Sequence, residues 1–239
     1  MSDVHKTTNV ASSATATTCI FFILGAGASK DSGLQTYRGK DGYYEGKDVN
    51  PEYILNTSNS LEKVWDFLKP LYEQISKNVP GETYQLIKKL GKMYPASFIL
   101  TQNVDGYADS TELPLVEIHG TAKTMTCFGC RKTKSANATD YLCECGKRYR
   151  PDIVLFGENL HRDQVQKVHN LLKRKPQYVL VIGTSLQFPY LRTFITKAKQ
   201  RGALVFHINP DDNYHYNVRK RETWYDLSAA EGLIKFMSD

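Results

Sequence analysis

The feature that most constrains this chain is an apolar run that stops at a glycine turn. Cys19-Ile20-Phe21-Phe22-Ile23-Leu24 is short, aromatic and β-branched, the composition of a strand buried on both faces. Gly25-Ala26-Gly27 follows at once, and the polar stretch through Ser29, Ser32-Gly33 and Thr36-Tyr37-Arg38-Gly39 comes next. A strand that ends in Gly-Ala-Gly and opens into a helix makes a cradle for a pyrophosphate. Glycine lets the main chain approach the ligand, and the helix N-terminus offers free N–H groups and the positive end of its dipole. The dinucleotide fingerprint is incomplete, because G-x-G-x-x-G would need glycine at Lys30. No acidic residue clearly ends a second strand about 20 residues on, where a ribose-binding carboxylate is expected. A tight turn whose glycines serve packing alone is the competing reading. The Arg-bearing segment just beyond favours a ligand, since it can close over one.

The same arrangement recurs along the chain. Ser97–Leu100 reads as a strand ending at Thr101-Gln102-Asn103, Leu115–Ile118 as one ending at His119-Gly120, Tyr178–Ile182 as one ending at Gly183-Thr184-Ser185, and Ala203–Ile208 as one ending at Asn209-Pro210. Amphipathic spacing predicts a helix capped by Asn59-Ser60 and carrying Leu61, Val64, Trp65, Leu68 and Leu71, with Pro70 kinking or splitting it. Further helices are predicted over 82–93, 190–200 and 228–237. Strands alternating with helices give an α/β fold with a Rossmann-like, doubly wound parallel sheet. In such a sheet ligands bind beyond the carboxyl ends of the strands, where every polar cluster named here falls.

Composition bounds the rest. The 239 residues suffice for one sizeable core with a small satellite domain. No apolar stretch approaches the ~20 residues of a membrane span. The net charge of +6 comes from scattered Lys and Arg; it leans mildly toward acidic surfaces or nucleic acid, but a solvated surface is the favoured reading and direct nucleic-acid binding is not expected. Residues 1–17 read as a disordered tail, without the apolar stretch of a secretory leader or the arginines of a mitochondrial one. A cytoplasmic or nuclear location, not a secreted one, is expected.

Four of the five cysteines gather as Cys127-x2-Cys130 and Cys143-x-Cys145. Two close pairs either side of a hairpin-length insert make a tetrahedral thiolate site for Zn2+, structural because no position stays open. The single residue between Cys143 and Cys145 departs from the usual spacing of two. Cys19 reads as core. His119, at the ligand edge, suits a general base near neutral pH, although a lone histidine is often structural. Asn103 and Asp105 can present amide and carboxylate to one ligand, or form an Asx turn.

These motifs together resemble the sirtuin family of NAD-dependent protein-lysine deacylases. The resemblance covers most of residues 19–237. It rests on Gly25–Gly39, Thr101–Asp105 (TQNVD), Ile118–Gly120 (IHG), the paired cysteines, Arg150–Glu158 (RPDIVLFGE), Gly183–Leu186 (GTSL) and Ile208-Asn209. It implies a Rossmann-like NAD-binding domain over 18–36, 96–122 and 151–239. A cofactor loop and helical module would occupy 37–95, and a zinc module 123–150. By resemblance Gly25, Ala26, Gly27 and Ser29 hold the pyrophosphate, while Thr36, Tyr37 and Arg38 form the cofactor loop. Gln102, Asn103 and Asp105 line the ribose and nicotinamide pocket. His119 is the base, with Asn103 beside it in the catalytic set. Gly183, Thr184, Ser185 and Asn209 take the phosphates and adenosine ribose, and Ala230 the adenine.

An acylated-lysine peptide would pair edge-on with Ile153–Glu158. Nicotinamide would be expelled, and the acyl group would end on ADP-ribose. An NAD glycohydrolase or ADP-ribosyltransferase, or an NAD-sensing module without catalysis, are the alternatives. Three departures concern substrate fit. Ala108 stands where the family often has histidine, and Phe188-Pro189-Tyr190 replaces a small aliphatic and its usual followers. Leu68 and Leu71 occupy the Tyr and Arg positions of desuccinylating members, which predicts a preference for uncharged acyl groups.

Overall fold

The computed structural model describes residues 18–36, 61–137 and 139–239. The expected tail at 1–17, Tyr37 and Arg38 of the expected cofactor loop, and the expected cap Asn59-Ser60 lie outside the described residues.

The first apolar run becomes β1 (Ile20–Leu24), every residue of it buried. It is central because both its edges and both its faces are covered. β2 (Phe98–Thr101) pairs along one edge and β7 (Tyr178–Ile182) along the other, both parallel to it. β3 (Leu115–Glu117) extends the sheet beyond β2, and β8 (Leu204–Ile208) and β9 (Glu222–Tyr225) extend it beyond β7. The resulting order, β3-β2-β1-β7-β8-β9, reverses direction between β1 and β7. That reversal opens a crevice at the carboxyl ends of those two strands.

Strand side chains alternate faces, so β1 feeds two cores. Phe21 and Ile23 pack with α3 (Arg162–Leu171) and α4 (Pro189–Lys199) through Val168, Leu171, Leu191, Phe194 and Ile195. Ile20, Phe22 and Leu24 pack with α2 (Glu82–Met93) and α5 (Ala229–Ser238) through Tyr84, Ile87, Leu90, Leu233 and Phe236. Neither α3 nor β9 is among the elements that the sequence pattern predicts.

A second sheet is small and antiparallel, in the order β5-β4-β6, with β4 (Gly120–Cys127), β5 (Thr133–Ser135) and β6 (Tyr149–Ile153). α1 (Leu61–Lys77) docks onto it. Val64 and Leu68 meet Val104, Ala122, Ile153 and Leu155. Trp65 stacks on Tyr141 at 5.9 Å and donates its indole N–H to Tyr149 O at 3.0 Å. The helix runs on through Pro70 and is not split there. Pro70 and Asp66 are both exposed, so the carbonyl that the proline deprives of its donor turns to solvent. Among the described residues no helix is long and apolar enough to cross a membrane.

Candidate active site at the sheet switch point

Two glycine turns interlock at the crevice. Gly25 N–H donates to Ile182 O and Gly27 N–H to Gly183 O, each at 2.9 Å. A Cβ on Gly25 would fall 2.5 Å from the Cβ of Thr184, and one on Gly27 would fall 2.7 Å from the Cα of Gly183. Gly183 itself has φ +59°, which side chains rarely adopt. The glycines are needed both for packing and for an open backbone face, so the two sequence readings are not exclusive. Beyond Gly25 the chain enters a short 3-10 segment, Ala26–Ser32, in place of the expected helix.

That segment also caps α2. Gly81, at the N-terminus of α2, has no side chain to cap it. Asp31 does so instead, accepting from Thr83 N and Thr83 Oγ1 at 2.7 and 2.8 Å, while Ser32 Oγ accepts from Gly81 N. The capping swings Tyr84 over Ser29. Ser29 donates its one proton to Asp105 Oδ2 at 2.6 Å. Its lone pairs then serve Tyr84 Oη at 2.7 Å and Asn103 Nδ2 at 3.1 Å. The other Asn103 amide proton goes to Gly25 O at 3.0 Å. Ser29, Asn103 and Asp105 are all buried. Burial pushes the Asp105 carboxyl up against the hydrogen bonds from Ser29 and from Tyr107 N–H, and it pushes the Tyr84 phenol up as well. Asn103 and Asp105 share a small cavity with Ala26, Ser29, Leu34, Gln35 and Leu71.

His119 stands where the main chain passes from β3 to β4. Its Nδ1 lies 3.0 Å from Gln102 O and its Nε2 lies 2.6 Å from Tyr190 Oη. Burial holds its pKa below the usual histidine value, opposed by the Gln102 carbonyl. The Gln102 side chain braces the crevice, donating to Thr184 Oγ1 at 2.9 Å and to Leu24 O at 3.2 Å. Across the crevice Asn209 Nδ2 donates to Thr184 O at 3.2 Å, and Trp224 Nε1 secures Asn209 O. Ser185 is exposed and Thr36 half-buried. Ala230, half-buried, lies in the first turn of α5 beside the Ser228–Glu231 capping box, outside this side-chain network.

Thus Gly25, Gly27, Ser29, Gln102, Asn103, Asp105, His119, Gly183, Thr184 and Asn209 meet at one edge. Tyr84 and Tyr190 join them unannounced, since each reads locally as one more apolar-face aromatic. Only the unusual order Phe188-Pro189-Tyr190 flagged the second. A larger groove, outside this crevice, is lined by Asp109, Glu117, Asp152 and Lys167 among others. Its Asp109 is paired with Lys123 and its Asp152 accepts from Thr124, whereas Glu117 Oε1 is buried without a hydrogen-bond partner among the described residues.

The segment expected to receive a peptide is tied down. Glu158 takes both Arg150 guanidinium N–H groups at 2.7 and 3.0 Å and accepts from Leu155 N at 2.8 Å, while Arg150 also donates to Ile153 O at 2.9 Å.

The four cysteine sulfurs lie within 4.8 Å of one another. Cys127 Sγ is 3.5 Å from Cys145 Sγ, and Cys130 Sγ is 3.6 Å from Cys143 Sγ. A tetrahedron of thiolates 2.3 Å from zinc has edges of about 3.8 Å, so the donor set fits that ion. The short Cys143-x-Cys145 spacing is absorbed by a tight turn. Gly146 N–H returns to Cys143 O, and Gly146 takes φ +77°. The Cys143 thiol is brought down to about 6, first by the Cys145 backbone N–H and then by Tyr149, while Cys130 in the same cluster, against the Lys132 backbone N–H, is pushed up to about 11 by burial and the neighbouring sulfurs.

Fold and crevice define an α/β dinucleotide-binding protein with an appended four-thiolate metal module. The family model described as the Sir2 family matches residues 25–189, well over half the chain, and the chain belongs to that family. It is 32% identical to "NAD-dependent protein deacylase 2" of Pseudomonas syringae pv. tomato, across 92% of this chain and 94% of that protein. It is 30% identical to "NAD-dependent protein deacylase 1" of Caldanaerobacter subterraneus subsp. tengcongensis, across 90% of each. A solved Sir2 homologue in complex with NAD superposes with a TM-score of 0.78 at 25% identity, covering 92% of this chain and 88% of that one.

Proposed function

We propose that this chain is an NAD-dependent protein-lysine deacylase that removes acetyl or another uncharged acyl group. NAD, when bound, supplies a ribose carbon with nicotinamide as its leaving group, and its ADP-ribose part carries the acyl group away. The observation that carries this reading is the half-buried imidazole of His119 at the switch-point edge, fixed by Gln102 O. Gln102 O can only accept, so Nδ1 keeps its proton and Nε2 is the basic nitrogen, which takes a proton from a ribose hydroxyl. Asn103 has spent both amide protons inward, which leaves its Oδ1 to meet the ligand.

The Gly25-Ala26-Gly27 turn and the first N–H groups after it would take the pyrophosphate. The Ser29 hydroxyl is fully used internally, so any phosphate contact from Ser29 falls to its backbone N–H. Its side chain keeps Asn103 and Asp105 in place. Gln102 acts as a brace, and Asp105 lines the nicotinamide pocket. Gly183, Thr184, Ser185 and Asn209 face the adenosine side, with Ala230 toward adenine, and Thr36, Tyr37 and Arg38 cover the ligand. The division into an NAD-binding part, a helical module and a zinc module over 123–150 is part of the same reading. So is a reducing compartment, cytoplasmic or nuclear, suited to free thiolates.

The acylated peptide adds as a strand along Ile153–Glu158. Leu68 and Leu71 present an apolar wall, and Lys69 is exposed. Incubating the protein with NAD and a panel of acylated peptides, with products identified by mass, tests the whole reading. Deacylated peptide with free nicotinamide and O-acyl-ADP-ribose is expected. Nicotinamide release with the acyl-lysine untouched would replace deacylation with NAD hydrolysis.

A further inference from the structure

The imidazole of His119 is engaged at both nitrogens. With the proton on Nδ1, the neutral ring offers only a lone pair at Nε2, so Tyr190 Oη–H is the donor in their 2.6 Å contact. The nitrogen that would accept a proton in the deacylase reading is therefore covered by a phenol from the same chain.

The phenol is held there by its surroundings. Pro189 at the first position of α4 sets the chain's entry into the helix. Phe188 stacks on Tyr190 with ring centres 5.6 Å apart, and it meets His119 edge-on at 5.2 Å. Phe194, one turn further along α4, packs against Tyr190 at 6.2 Å. Burial raises the Tyr190 pKa, so the hydroxyl keeps its proton near neutral pH.

We infer that Tyr190 is a gating residue: its hydroxyl occupies Nε2 of His119 and must leave before a ribose hydroxyl can take that place. The inference rests on the reading of His119 as the base. A gate of this kind lowers apparent affinity by the fraction of molecules in which it stands open. One neutral hydrogen bond sets that factor at roughly 3 to 10.

Tyr190→Phe keeps the ring and removes only the hydroxyl. ADP-ribose, titrated calorimetrically, is expected to bind that variant at least ~3-fold more tightly than wild type. KM for NAD on an acylated peptide should fall by a similar factor, with kcat/KM rising accordingly. Unchanged ADP-ribose affinity and KM would overturn the gate. So would a loss of ~10-fold or more in kcat without tighter binding, because the phenol would then be needed in the chemistry. A merely structural role would lower the melting temperature and leave the split between KM and kcat unmoved, which also overturns it. His119→Ala run alongside separates the two ideas. If that variant still turns over normally, the base reading falls. If it is inactive while Tyr190→Phe behaves as wild type, only the gate falls.

Discussion

The switch-point crevice and the small antiparallel sheet hold themselves together by opposite means. The crevice is walled by a six-stranded sheet packed on both faces, and inside those walls Ser29, Tyr84, Asn103 and Asp105 share buried hydrogen bonds. Such a network is strong only because water is excluded and every member finds a partner. The small sheet has a thin core of Trp65, Met125, Cys127, Cys143 and Tyr149. Its ion pairs, Lys132–Glu144 and Lys134–Asp140, are mostly exposed and solvent-screened, so they contribute little. A core that small leaves most of the work to four thiolates around a metal. A large core can afford polar chemistry inside it, whereas a small one needs a covalent or metal tie.

The sharpest way to break this contrast is to remove the tie. Cys127→Ala or Cys145→Ala should lose zinc and unfold the small sheet, because structural zinc contributes on the order of 10 kcal/mol of coupled folding energy. Hydrogen exchange should then show lost protection over β4–β6 with β1, β2 and β7 still protected. Uniform loss, or none, would mean that the regions do not differ in this way. Elemental analysis of the wild type should find one zinc per chain.

The crevice should fail differently. His119→Ala should lower deacylation at least ~100-fold while ADP-ribose affinity stays within a few fold, since the base is one group in an otherwise intact frame. A collapse of binding along with activity would make His119 structural.

A smaller effect concerns where the two regions meet, along α1. With Leu68 buried and Leu71 beside the cavity, a succinyl carboxylate would find no cation among the described residues that line it. Acetyl-lysine or a longer uncharged acyl-lysine should be preferred over succinyl-lysine by at least ~10-fold in kcat/KM, about 1.4 kcal/mol. Kinetics on one peptide bearing each group decide it, and a succinyl preference would refute the placement of this helix.

The smallest effect is in pH. Burial moves the His119 pKa below 6.5, so the neutral, proton-accepting ring persists to lower pH than an exposed histidine would allow. The acid limb of kcat/KM should therefore lie below 6.5. A limb at or above that value would show that the imidazole is better solvated than the crevice implies.

The central strands β1, β2 and β7 were legible because each is buried on both faces, and they, like β3 and β8, run into a turn that carries glycine, asparagine or histidine. β9 was not. Glu222-Thr223-Trp224-Tyr225 follows Arg219-Lys220-Arg221 and reads as a polar loop, yet Glu222 is paired with His207 on the neighbouring strand and with Lys199 at the end of α4. That pairing belongs to the tertiary fold, and local pattern carries no trace of it. α3 was visible in principle, with Val165, Val168 and Leu171 at helical spacing, but charge on its other positions masked the stripe. The candidate site was readable wherever chemistry sits in a motif, as at Asn103 or His119. Tyr84 was hidden because its hydroxyl acquires a role only when Asp31 caps α2 and brings it to Ser29.

On the proposed reading, in which an acylated peptide adds along Ile153–Glu158, the Arg150–Glu158 clamp bears on how quickly that peptide is captured. Because the guanidinium fork, the carboxylate and the Leu155 N–H already fix 153–158, that edge is ordered before any partner arrives. The entropy lost on docking then belongs to the peptide alone. Capture should accordingly follow the peptide's own stiffness and collision frequency, with extended, unstructured tails engaging faster than lysines set in helices, and with no slow loop rearrangement in the association kinetics.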